Sequence, residues 1–279
     1  MRARAAGLAA LGALAALGAA ACVHLARRPR VRALAGPDGE TVRALAAGGV
    51  FQSATYVGAR RFEPVFAYIR AFDAAFLPRG ARQGDAADAP VRLLMLGGGG
   101  FSWPKHVLAA RPAARMDVVE IDVSVIDLAR RSFYLGELEE RAGARLRIFT
   151  EDGRSFLERA AAEGERYDAI VNDAFSGSEP VRALASTGAA RAVRAALAPD
   201  GVYFVNVVSR GGGSDLSFLR DETATLAGVF AHVAVAPCAD DWWGGEDNYL
   251  VAASDVPFDL PGSIPFDESF LGSLIADVS

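Results

Sequence analysis

Four sites in this chain have residues suited to chemistry, and each follows an apolar run. The first is Gly97 to Gly100 in "VRLLMLGGGGFSWP". Glycines set directly after stiff residues let the backbone come close to something that is not protein. A dinucleotide fingerprint would demand glycine at 102, where Ser102 stands, and a phosphate loop would end in G-K-[ST], which is missing. A nucleoside without phosphate needs the glycines only to admit its chain. The second is Glu120 in "MDVVEI", about twenty residues on, where a carboxylate can accept from two ribose hydroxyls. The third is Asp152 in "FTEDGRSFL", which either accepts from an exocyclic adenine amine or caps the helix that follows. The fourth is Asp173, closing "YDAIVND". It either orients and deprotonates an amine nucleophile or forms an Asx turn.

These residues need a scaffold that brings strand ends together. Apolar runs at 91–96, 116–121, 145–150, 167–173, 201–208, 232–237 and 248–254 read as strands. Helical stretches at roughly 104–110, 123–133, 153–163, 181–198 and 214–229 separate the first six. Continuous apolar strands between amphipathic helices predict an α/β fold, a Rossmann-like parallel sheet covered on both faces. The last two strands, joined without a helix, suggest a closing hairpin with one antiparallel strand. In such sheets ligands bind beyond the strand C-termini, where strand order reverses. All four sites belong to that edge.

Upstream, "VFQSATYV" has strand character, and "EPVFAYIRAFDAAF" reads as a helix with Pro64 in its first turn. Pro78 to Pro90 is turn-rich and is taken as a linker. The expected division is a hydrophobic helix over 1–30, a small β-containing segment over 31–89 and a nucleoside-binding domain over 90–279. Ala5 to Val23 carries no charge and is long enough to span a bilayer. Arginines are denser after it than before it, which predicts a membrane anchor with the body in the cytoplasm. A cleaved signal and a soluble cytoplasmic protein are the alternatives.

Composition narrows the partners. At 52% apolar the chain can bury a full core. The net charge is −5, and the first thirty residues hold five arginines and no acids, so the rest carries −5 − 5 = −10. An acidic body disfavours nucleic acid and suits a cationic small molecule. Two cysteines, Cys22 and Cys238, and three scattered histidines provide neither a disulfide framework nor a metal site. Lys105 is the only lysine.

From Gly49 to Ser254 the chain resembles the spermidine synthase (polyamine aminopropyltransferase) family, as a divergent spermidine synthase-like member. "GGVFQSA" with Glu63 downstream is similar to the family's G-V-x-Q segment and later glutamate, and "LGGGGFSWP" to its G-G-G-D-G-G loop. "VVEID", "EDGRSFL", "YDAIVNDAF" and "NYLVAAS" resemble its ribose, adenine, catalytic and terminal strand motifs. The resemblance implies a seven-strand methyltransferase-type sheet and transfer of an aminopropyl group to an amine or polyamine. Decarboxylated S-adenosylmethionine or S-adenosylmethionine would serve as co-substrate, with no tightly bound cofactor. It assigns Asp173 as catalytic and Gly97, Gly98, Gly99, Gly100, Glu120 and Asp152 to the nucleoside. Gln52, Glu63 and Glu179 go to the acceptor, with Asp240, Asp241, Glu246 and Asp247 as further acidic candidates and Trp242 and Trp243 as walls. A homodimer is one assembly open to the chain.

The chain also departs from the pattern. Gly100 stands where the family's loop has aspartate, Arg61 where it has tyrosine, and "DAFSGSEP" lacks the second aspartate unless Glu179 replaces it. A S-adenosylmethionine-dependent methyltransferase and a catalytically inactive nucleoside-binding relative therefore stay open as alternatives.

Overall fold

Val91–Leu96 (β4) shows why the sheet reads as an unbroken apolar run. Leu93 and Met95 enter one core, Leu94 and Leu96 the other, and all four are buried. A strand covered on both faces has no position for a polar residue. The computed structural model describes residues 30–47, 50–78, 89–176, 179–209, 214–238 and 248–277.

The chain opens with an antiparallel sheet of β1 (Arg30–Ala35), β2 (Thr41–Ala47) and β3 (Val50–Tyr56), in that order. The register of β2 on β3 skips Gln52, which stands at a bulge. A short helix α1 (Ala67–Ala71) runs into a 3-10 turn over Phe72–Phe76. Pro64 is not in the first turn of this helix, as the sequence suggested. It bridges Thr55 of β3, and the chain stays extended to Phe66 before turning. Val42, Leu45 and Phe72 share one apolar cluster with Leu93 and Trp103, so this segment packs on the body.

The body alternates β4, α2 (Ser102–Ala110), β5 (Ala114–Val119), α3 (Val123–Ser132), α4 (Leu135–Ala142), β6 (Leu146–Phe149), α5 (Gly153–Ala162) and β7 (Tyr167–Asn172). A two-residue hairpin of β8 (Phe175–Ser176) and β9 (Glu179–Pro180) follows. Next come α6 (Arg182–Ala185), α7 (Thr187–Ala196), β10 (Leu197–Val208), α8 (Ser217–Ala227), β11 (His232–Cys238) and β12 (Asn248–Ser254). The seven-strand order is β11-β12-β10-β7-β4-β5-β6, with β12 antiparallel to both its neighbours. The chain builds β4, β5 and β6 outward and then returns beside β4 with β7. The reversal point therefore lies between β4 and β7, where a crevice opens beyond the strand ends.

Further elements differ from the sequence reading. The helix expected over 181–198 breaks at Ser186, whose extended backbone and side chain cap α7 through the Ala189 N–H, and strand begins at Leu197. Helix α4 was not foreseen, nor were β1 and β2 as separate strands. Among the described residues no helix is long and apolar enough to cross a membrane. The hydrophobic helix expected over 1–30 lies outside the described residues, except for Arg30, which begins β1.

Candidate active site

The glycine loop ties three strand ends together. The Gly97 N–H donates to Val119 O at 2.9 Å, and the Asp173 N–H donates to Leu96 O at 2.9 Å. Gly97 has a left-handed φ of 89°, and a Cβ there would stand 2.5 Å from the Asp173 carbonyl oxygen. Only glycine lets β4 turn this close to the end of β7. Glu120 points into the same loop: its Oε2 accepts from the Gly98 N–H at 2.9 Å, and its Oε1 from the Asp122 N–H at 2.9 Å. The carboxylate is thus held in place by backbone donors before any ligand is considered.

Gly100 faces a filled space. A Cβ there would overlap Ser53 Oγ and lie 2.9 Å from the Phe133 ring. Ser53 comes from β3, so the N-terminal sheet fills the space beside Gly100. At Gly99 a Cβ would meet nothing nearer than Ser53 Cβ at 3.9 Å.

Asp173 follows β7 directly, one residue beyond the register pair Val205–Asn172, which brings Asn206 of β10 alongside it. Asn206 Nδ2 donates to Asp173 Oδ1 at 2.8 Å, and the Tyr68 hydroxyl donates to Oδ2 at 3.4 Å. Asp173 keeps some contact with solvent, yet protein crowds it on nearly every side. That desolvation pushes its carboxyl up to about 7, against the opposing pull of the Asn206 and Tyr68 bonds. Burial, and then the Asp173 charge, hold the Tyr68 hydroxyl well above its ordinary value, so it stays a donor. A carboxylate poised near neutral pH is suited to take a proton from an amine.

Neither Tyr68 nor Asn206 was singled out from the sequence. Asn206 left a signal as the one amide inside the apolar run "GVYFVNVV". Tyr68 left none, because an aromatic at helical spacing reads as core.

The remaining sequence candidates are placed differently. Asp152 caps α5, with Oδ1 accepting from the Ser155 N–H at 2.9 Å and from its hydroxyl at 3.1 Å. Glu63 is exposed and accepts from Arg60 Nε at 2.7 Å. The Glu179 side chain and residues 239–247, which include the four acids and two tryptophans, lie outside the described residues. A surface depression of about 590 Å³ between the start of α8 and the C-terminal turn includes none of these candidates.

Behind the loop a polar seam ties α2 to the N-terminal segment. Ser102 Oγ donates to Ala54 O at 3.0 Å, Trp103 Nε1 to Asp73 at 2.9 Å, and His106 Nε2 meets the same carboxylate at 2.8 Å. Lys105 is buried, with its ammonium donating to Thr55 Oγ1 at 2.8 Å, and burial pushes it down to about 7. The seam fixes the segment that carries Tyr68 to the body.

Several known proteins resemble this chain in sequence or fold. A polyamine aminopropyltransferase of Vibrio vulnificus is 34% identical over 142 residues, covering 50% of this chain and 44% of its own length. The eEF1A lysine and N-terminal methyltransferase of Danio rerio is 34% identical over 130 residues, covering 44% of this chain and 18% of its own length. The chain therefore spans less than half the length of these curated relatives. A crystal structure of a probable spermidine synthase from Corynebacterium glutamicum superposes with a TM-score of 0.64 at 25% identity, covering 83% of this chain and 78% of that one. The profile of the Spermine/spermidine synthase domain matches residues 84–233, which run from the linker through β4, the glycine loop, Glu120 and Asp173 into β11. With that match covering more than half of its length, the chain belongs to the spermine/spermidine synthase domain family.

Proposed function

We propose that this protein transfers an aminopropyl group from decarboxylated S-adenosylmethionine to an amine or polyamine acceptor. The observation that carries this reading is Asp173. It is a carboxyl raised to about 7, held by Asn206 and Tyr68, at the strand end that packs against a glycine loop. A sulfonium donor is already activated, so the enzyme needs proximity, a neutral amine and a base for its proton. Gly97 to Gly100 are assigned to admit the donor, Glu120 to accept from its ribose, and Asp152 to accept from its adenine. Gln52, Glu63 and Glu179 are assigned to the acceptor. The donor is a co-substrate, and no tightly bound cofactor is invoked.

A second reading is methyl transfer from S-adenosylmethionine itself. It is favoured by Gly100, where Ser53 fills the space and no carboxylate stands on the loop to meet an aminopropyl ammonium. The zebrafish relative named as a methyltransferase points the same way. Incubating the purified chain with donors labelled in the aminopropyl or in the methyl carbon decides between the two. Aminopropyl label in the amine product supports the first reading and methyl label the second. Tight methylthioadenosine binding with neither label transferred would leave an inactive nucleoside-binding relative.

The 1–30 segment is read as an anchor that leaves the catalytic body in the cytoplasm. Recovery of the full chain in the soluble fraction without detergent would overturn that.

A further inference from the structure

Asn206 sits in the interior of β10, paired with Leu250 of β12 on one side and next to the β7 end on the other. Its backbone is fixed by the sheet, and only 5% of the residue is exposed. The amide donates through Nδ2 to Asp173 Oδ1 at 2.8 Å, while its Oδ1 is buried with no hydrogen-bond partner among the described residues. A buried acceptor left unpaired is costly and calls for an explanation. Asn172, on the neighbouring strand, is the contrast. Its Nδ2 donates to the Tyr203 hydroxyl at 3.1 Å and its Oδ1 accepts from the Ala174 N–H at 3.3 Å, so both its ends are committed. Asn206 has only one committed end, and that end faces the base.

We propose that Asn206 is a positioning residue that serves Asp173 in both protonation states. It donates through Nδ2 to the carboxylate and, after turning its amide over, accepts through Oδ1 from the protonated acid. This rests on Asp173 being the base of the proposed transfer. In that step a proton leaves the acceptor's ammonium for Asp173. The freed nitrogen lone pair then forms a bond to the carbon on the sulfonium, the C–S bond breaks, and its electron pair stays on sulfur as a neutral thioether. Asp173 must therefore be stable as a base before the step and as an acid after it. The unpartnered Oδ1 supplies the acceptor that the second state requires. The raised proton affinity of Asp173 agrees with this, and among the described residues Tyr68 of α1 is the one titratable group bonded to it.

The test follows the titration of Asp173 by difference infrared spectroscopy against Asp173→Asn, together with the acid limb of the kcat/KM profile. Asn206→Leu removes a bond from each state, but the one to the carboxylate is charge-assisted and about twice as strong as the one to the acid. Both readouts therefore move upward by about one pH unit. Asn206→Asp, nearly isosteric, places two carboxyls on one proton and moves them further in the same direction. Methylthioadenosine binding confirms that each variant is folded, and if Asn206→Leu does not fold, Asn206→Asp alone decides. A uniform loss of kcat with an unmoved titration would make Asn206 merely structural and overturn the proposal. If neither labelled donor supports transfer while the titration still moves, the transfer reading fails and the role of Asn206 stands.

Discussion

Replacing Gly97 with alanine tests whether the glycine loop sets the position of the base. The added Cβ would stand 2.5 Å from Asp173 O, 2.9 Å from Asp173 C and 3.0 Å from Ala174 Cα. All three are backbone atoms, which cannot rotate out of the way, so the loop or the end of β7 has to move. Restoring an ordinary contact requires a displacement approaching 1 Å. The overlap costs about 1–3 kcal/mol, and a φ of 89° adds about 1–2 kcal/mol for any residue with a Cβ. The expected loss of stability in urea unfolding is about 2–5 kcal/mol. A misplacement of that size at the base lowers turnover by about a hundredfold. Gly99→Ala is the internal control. Its Cβ enters open space, so the backbone penalty alone applies, at about 1 kcal/mol. The reasoning is refuted if Gly97→Ala unfolds at the same urea concentration as Gly99→Ala and turns over within a few-fold of the parent.

Asp173→Asn lowers turnover by about two to four orders of magnitude while methylthioadenosine affinity stays within a few-fold, as seen by calorimetry beside initial rates. An equal loss of both would make the residue structural. Glu120→Gln weakens nucleoside binding about tenfold or more in the same titration, and unchanged affinity rules out the ribose contact. Glu222 is fully buried on α8, its Oε2 has no partner among the described residues, and burial pushes its carboxyl up to about 8 from 4.5. Its contribution to stability is thus complete below about pH 4.5 and is lost as pH rises through about 8. Glu222→Gln removes up to about 5 kcal/mol of that decline, read as a flatter unfolding free energy between pH 5 and 8. Lys105 has the opposite sign, since its pKa falls from 10.5 to about 7 on folding. The unfolded chain binds the extra proton between those values, so Lys105→Met gains most stability near pH 7 and progressively less toward pH 10.

The sheet was legible because its strands are buried on both faces, which leaves continuous apolar runs such as Val91–Leu96. β1 and β2 were not, because their alanines and arginines carry no comparable contrast, and β1 is largely exposed. Helix α4 was hidden by its entry, where Tyr134 takes a left-handed φ of 60° that no local residue preference announces. Within the site, Gly97, Glu120 and Asp173 could be placed together because each ends a strand at one edge. The partners of Asp173 could not. Tyr68 is 105 residues away in sequence and Asn206 is 33, so only the closed fold shows the contacts. Asp152 was readable both ways, and the capping geometry is the one seen in the fold.

The buried Lys105 has a practical consequence for bench chemistry. As the only lysine, it is the sole side-chain amine that an acylating reagent could modify, and it is sealed between α2 and β3. Derivatisation at this position, followed by mass spectrometry, would therefore report how often the seam between the amino-terminal sheet and the body opens. It would do so without an engineered probe and without background from other side-chain amines.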